Sequence, residues 1–216
     1  MTVSVKSDAK KLKRGFLADA KAIDRATIGA LNEVGFAARR AGIAQMKTKL
    51  HKPTRFTLRG IFVRKARRGQ PWVDVEVLPR QWEYLRFAVE GGTRRPKNRA
   101  LVMPVNQKTN AFGNLPRGAV QRHLAKREKS GHGSTFSGVP KGQPHAKPGI
   151  YRREGTGKSK GHKSLRLEIG YRKAATYRSG RWPFFRINEG VARNRMPKAL
   201  DRHIAKQLSR SERSHP

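Results

Sequence analysis

The sequence predicts an α+β fold, with a long N-terminal helix and a C-terminal helix packed on an antiparallel sheet and a long Gly/Pro/Lys-rich insertion between strands. Three patterns predict it. Apolar residues recur at 3.6-residue spacing near the N-terminus, alternate with period two in the middle of the chain, and return to helical spacing at the C-terminal end.

From Lys10 to Leu50 the residues Phe16, Ala20, Ile23, Thr27, Ala30, Leu31, Val34, Ala38 and Ala41 trace one narrow, Ala-rich stripe, and Pro53 stops the pattern. Phe56 to Lys65 and Trp72 to Leu78 read as a hairpin around the turn-prone Arg67-Arg68-Gly69-Gln70-Pro71. In its second arm Val73, Val75 and Val77 alternate with Trp72, Asp74 and Glu76, the pattern of a strand with one buried face. Gln81 to Glu90 reads as a short helix stopped by Gly91-Gly92, and Leu101, Met103 and Val105 as a short strand. Leu165, Leu167, Ile169 and Tyr171 alternate with Arg166, Glu168 and Gly170 in the clearest strand of the chain. Ile187 to Leu208 reads as a helix kinked or restarted at Pro197, with Leu200, Ile204 and Leu208 on one face. Residues 1–216 are thus expected to form a single domain, and residues 106–163, poor in apolar side chains, an extended arm ordered by a partner. Trimming that arm is expected to spare folding.

Composition narrows the function. With 216 residues the chain has room for one ordinary domain, and 50 Lys and Arg against 14 Asp and Glu leave a formal charge of +36. Such a charge favours polyanions or acidic protein surfaces as neighbours, because each phosphate neutralised releases a counterion. With 36% apolar and 7% aromatic residues the core is thin, which argues against a large self-folding enzyme and for a chain ordered within an assembly. The absence of cysteine excludes disulfides, thiolate metal sites and cysteine nucleophiles. No apolar run approaches the roughly 20 residues of a membrane span, so a soluble intracellular product is expected.

No motif for catalysis survives inspection of its flanks. Gly155-Thr156-Gly157-Lys158-Ser159 has the end of a phosphate-binding loop but Arg152 where the first glycine belongs, and Gly157-Lys158-Ser159-Lys160-Gly161 lacks the strand and helix of a nucleophile elbow. The histidines at 51, 123, 132, 145, 162, 203 and 215 have no metal-ligand spacing, and Asp74 and Glu76 read as partners for local positive charge. No catalytic residue, metal or cofactor is expected. The basic clusters are Lys10-Lys11-Lys13-Arg14, Arg64-Lys65-Ala66-Arg67-Arg68, Arg94-Arg95-Pro96-Lys97-Asn98-Arg99 and Arg152-Arg153, with Tyr151, Tyr171, Tyr177 and Trp182 as possible stacking rings. Arg94, Arg95, Lys97, Arg152 and Arg153 are the candidate contacts to a partner or to DNA, and without a sequence-reading signature any DNA contact is to the backbone.

Several segments, in order, resemble the tail-completion and minor tail proteins of long-tailed bacteriophages, in particular the Z-type minor tail proteins of lambda-like phages. Ala30-Leu31-Asn32-Glu33-Val34-Gly35, followed by Ala37-Ala38-Arg39, resembles the opening Ala-rich helix of that family. Glu83-Tyr84-Leu85-Arg86-Phe87-Ala88-Val89-Glu90-Gly91-Gly92-Thr93 is similar to its Tyr…Glu-x-Gly-Thr turn, where a helix ends and the chain folds back to the sheet. Gly149-Ile150-Tyr151-Arg152-Arg153, Arg181-Trp182-Pro183-Phe184 and Met196-Pro197-Lys198-Ala199-Leu200 resemble its G-x-[FY]-x-R strand, the R-x-P-F lead-in to the last helix and that helix's L-P-K-x-L. The likeness runs from about Ala22 to Leu208 and has no counterpart for Asn106 to Lys147. It implies a structural virion protein without catalysis, made in the host cytoplasm and carried in the tail or neck. Its implied partners are other neck and tail proteins, in a homo-oligomeric ring or multi-copy layer, with possible contact to the DNA backbone and none to a membrane or small-molecule substrate. The alternative from charge alone is a non-specific nucleic-acid-binding protein of viral or ribosomal type.

Overall fold

The computed structural model describes residues 9–128, 135–154 and 164–213. It is an α+β protein with a long N-terminal helix, a C-terminal helix and antiparallel sheets. The chain clusters into two compact units: Met1–His51, Arg55–Leu85 and Trp182–Pro216 in the first, Lys52–Thr54 and Arg86–Arg181 in the second.

In the first unit α1 (Ala9–Lys49) runs without a proline, and at 1.5 Å per residue its 41 residues extend roughly 60 Å. Lys47 and Lys49 in its last turn complement the negative end of the helix dipole, and beyond it Lys52 takes a φ of 45° just before Pro53, which cannot donate a backbone hydrogen bond. The buried stripe agrees with the expected one at Ala30, Val34 and Ala38 and departs from it toward the N-terminus, where Ala22 and Ala26 are buried and Ala20 and Ile23 are exposed, Ile23 by 54%. The reason is the partner: the face of smallest side chains admits the closest approach of another helix, here α5 (Phe184–Arg213). Ala30, Val34 and Ala199 form the buried centre of that helix pair, flanked by Ala192, Met196 and Leu200. Leu200 therefore packs within the unit as the spacing predicts, but Leu208 at the end of the same face is 45% exposed. Residue Pro197 lies inside α5 on its exposed side.

Another face of α1 meets the hairpin of β1 (Ile61–Arg64) and β2 (Asp74–Val77), paired from Ile61 with Val77 to Arg64 with Asp74. The strands are shorter than the sequence reading because Arg55–Leu58 forms a turn of helix, α2, with Thr57 buried. Gly35 lies against Val63 and Val73, and Gly42 against Ile61, so the missing side chains let the hairpin seat on the helix. Asn32 locks it by donating from Nδ2 to the Ala66 carbonyl at 3.1 Å and accepting from the Ala66 N–H at 2.8 Å. Helix α3 (Pro79–Val89) begins in this unit, where Tyr84 Oη pairs with Thr57 Oγ1 at 3.1 Å, and ends in the second.

The second unit holds a two-stranded ribbon, β3 (Gly92–Arg94) with β8 (Ala175–Tyr177), and a four-stranded antiparallel sheet. The order of the latter is β4 (Leu101–Pro104), β7 (Ser164–Arg172), β6 (Gly149–Glu154), β5 (Thr135–Gly138), with α4 (Ala119–Glu128) beside β5. Its centre is the cross-strand pair Ile150 and Ile169, both 0% exposed. Among the described residues three sheets thus stand where a single one was expected, and the stretch read as an arm contributes α4, β5 and the inner strand β6 in its described part. The glycines and lysines of residues 106–163 conceal short apolar clusters, such as Ile150-Tyr151, that suffice once β7 supplies the other half of the core.

Candidate functional site

Several of the residues that carry the sequence resemblance sit at joints. Ala30, Asn32, Glu33, Val34 and Gly35 all contact α5 or the β1–β2 hairpin: Glu33 accepts a hydrogen bond from Arg202 and pairs with His203 Nε2 at 3.2 Å, and the His203 ring fills the space over Gly29. At the end of α3 the Glu90 N–H donates to Arg86 O, and Gly91 and Gly92 take φ of 78° and 103°, the left-handed region in which a side chain is strained. Gly91 also has the Ser179 backbone against the place of a Cβ, which fixes glycine there twice over. Thr93 and Thr176 hydroxyls pair across the ribbon at 3.2 Å. Gly149 is buried where a Cβ would overlap the Ile169 carbonyl. Trp182 and Phe184, ring centres 5.0 Å apart, are buried on either side of Pro183 at the start of α5.

The candidate contact residues divide. Arg94 ends β3 and is exposed, as are Arg95 and Lys97 after it. Arg152 is drawn into an ion cluster across β6 and β7, 3.2 Å from both Glu154 and Glu168, which Arg166 also approaches at 3.4 and 3.9 Å. Glu168 is only 7% exposed in its side chain, so this arrangement neutralises a carboxylate that would be costly to bury alone. Arg153 lies over the Phe136 ring at 5.2 Å. Arg152 and Arg153 thus belong to the inner strand β6, whereas Arg94, Arg95 and Lys97 lie at and just after the end of β3.

Two open hollows are rimmed by cations. In the first unit a hollow of about 570 Å³ is lined by Phe36, Arg39, Arg59, Ile61, Arg64 and Lys65 among others. Several of its charges are engaged locally. Arg64 faces Glu76 at 3.2 Å and Asp74 at 4.0 Å, as their shared strand face predicts, Arg39 donates to the Ile61 carbonyl at 2.9 Å, and Lys65 sits over Phe36 at 5.5 Å. The second unit has a hollow of about 730 Å³ with Arg99, Arg172 and Lys173 on its wall, Ala100, Val102, Leu124 and Pro148 as its apolar part, and Asn98, Ser137 and Tyr171 as its polar groups. None of its lining residues is acidic. The pairing of Leu101 with Arg172 produces it, because antiparallel register carries Arg99 and Lys173 to the same end of β4 and β7. Arg172 and Lys173 were not singled out from sequence, where they read as the tail of a strand. The signal was present in the two strand patterns at Leu101 and Leu165, but pairing them required the register.

Among the described residues no three His, Asp or Glu gather into a metal-binding group, and no helix is long and apolar enough to cross a membrane. The segments Gly155 to Ser159 and Gly157 to Gly161, the side chains of Lys10 to Arg14 and Phe16, and His132, His162 and His215 lie outside the described residues. Set against protein-family models, curated proteins and solved structures, the chain matches none.

Proposed function

We propose that this chain is a structural virion protein of a long-tailed bacteriophage that completes the tail, joins it to the head at the neck, or both. The observation that carries the reading is where its motif residues lie. The segments resembling tail-completion proteins are the ones that hold α1 to α5 and to the hairpin, turn the chain at Gly91-Gly92, and start α5 at Trp182-Pro183-Phe184. The motif set, spread from Ala30 to Leu200, thus falls on packing and turn positions within each unit, and short open strands with an excess of positive charge suit a part that is buried among acidic neighbours. Its partners in this reading are other neck and tail proteins, in a multi-copy ring or layer. Electron microscopy of particles produced after inactivating the gene in a phage that encodes it tests the assignment: filled heads beside separate or abnormal tails support it, and normal infectious particles overturn it.

A second reading, a non-specific nucleic-acid-binding protein, is favoured by the acid-free hollow of Arg99, Arg172 and Lys173 in a chain of charge +36. It requires nucleic-acid affinity that does not depend on base sequence and whose logarithm falls linearly with the logarithm of the salt concentration.

A further inference from the structure

We propose that the hollow at the β4–β7 end is a nucleotide-binding pocket that takes one unstacked nucleotide of a single-stranded nucleic acid, its phosphate on Arg99, Arg172 and Lys173 and its base on the apolar floor. Three observations converge. The three cations are exposed, make no ion pair with any acidic residue among the described residues, and line a pocket without a carboxylate, so an incoming phosphate meets uncompensated positive charge. The floor of Ala100, Val102, Leu124 and Pro148 offers apolar surface to a flat ring, and the Tyr171 hydroxyl is tethered to Ser137 at 2.9 Å, which restrains its ring at the wall. The volume, about 730 Å³, lies within the range of small-ligand pockets and far below what a duplex would need.

The strand follows from the chemistry of the base. Within a duplex the base faces are covered by their neighbours, so only an unpaired nucleotide can present both a phosphate and a free ring to the same pocket. The exposed Arg95, four residues and so no more than roughly 14 Å along the chain from Arg99, offers a further cation to a neighbouring phosphate of the strand. The pocket deepens the nucleic-acid reading and is independent of the virion one.

The test uses the full-length chain and a labelled oligothymidylate about ten nucleotides long, followed by fluorescence anisotropy near physiological salt. Removing three charges at the pocket (R99A, R172A and K173A together) should weaken binding by at least about tenfold, whereas removing three exposed charges elsewhere in the same unit (K108A, R117A and K141A) should weaken it no more than about threefold. Equal losses overturn the pocket and leave only general electrostatics. Inorganic polyphosphate and poly-glutamate of matched charge should compete at least about tenfold less well than the oligonucleotide, because neither carries a base. Equal competition by polyphosphate or poly-glutamate overturns the role of the floor, and thymidine monophosphate competing as well as the strand overturns the strand. Photocrosslinking of a bromodeoxyuridine strand to the unaltered protein removes any dependence on variant folding: adducts at Tyr171 or its pocket neighbours support the site, and adducts spread over the surface without them refute it. None of these results bears on tail assembly, so failure here and failure of the virion reading are separately visible.

Discussion

Gly149 and Gly29 both occupy places where a methyl group would collide, but with obstacles of different stiffness. At Gly149 the obstacle is the Ile169 carbonyl of the neighbouring strand, with the Leu167 side chain behind it. The carbonyl cannot retreat without disturbing the β6–β7 ladder, so G149A should lose about 2–4 kcal/mol in urea unfolding. At Gly29 the obstacle is the His203 ring, which can swing away at the cost of its contact with Glu33, while alanine gains about 1 kcal/mol over glycine inside a helix. G29A should therefore stay within about 1 kcal/mol of the parent in the same measurement. The same distinction separates the candidate arginines. Arg152 stabilises the buried Glu168 carboxylate, so R152A should shift the unfolding midpoint by about 1–2 kcal/mol, whereas R94A, at an exposed ribbon end, should leave it within about 0.5 kcal/mol. Sequence shows that both are arginines in basic clusters and cannot show which has a carboxylate across the ladder.

At the scale of elements, the long helix was legible because its 41 residues contain no proline and keep one period throughout, and its buried stripe was legible from Ala30 onward. Toward the N-terminus period alone leaves two neighbouring faces open, one through Ala20 and Ile23 and one through Ala22 and Ala26, and the larger Ile23 makes the first look more hydrophobic. Close helix packing selects the second. Consequently A199L, which inserts three carbons between α1 and α5, should cost about 1–3 kcal/mol in thermal or urea unfolding, while I23K should change stability by less than about 0.5 kcal/mol. The strands at Trp72 and Leu165 were legible from their period-two patterns, but the burial departs from strict alternation in both: β2 begins at Asp74 and is half-buried at every position, and in β7 Glu168 and Ile169 are consecutive and both buried, because Arg152 and Arg166 cover the polar face of the strand just as the core covers the other. Low apolar content hid β5 and β6. Trimming residues 106–163, expected from sequence to spare the fold, should instead remove the inner strand of the four-stranded sheet and abolish its cooperative unfolding, a loss that circular dichroism melts would register.

At the scale of the whole molecule the dominant fact is charge. The acids of the second unit are Glu90, Glu128, Glu154 and Glu168, and the last two are engaged by Arg152 and Arg166, so its basic side chains act outward with little local compensation. Reversing Arg94 and Arg95 to glutamate should change stability by no more than about 0.5 kcal/mol and, under the proposed virion role, impair head–tail joining in a complementation assay, because exposed charges carry little stability and much of the long-range attraction. Unimpaired joining would remove that turn from the functional surface.

The sequence by itself determined the fold class, the two long helices, the strongest strands, the +36 charge and the glycine-bearing turn after α3, all of which depend on local periodicity or on composition. Tertiary structure alone decided which face of α1 is buried toward its N-terminus, which arginines are neutralised, that three sheets among the described residues replace one, and that Arg99, Arg172 and Lys173 share a pocket. The physical reason is that each of these is a relation between residues far apart in sequence, set by strand register and by how closely two backbones approach, and neither quantity is written in any local pattern.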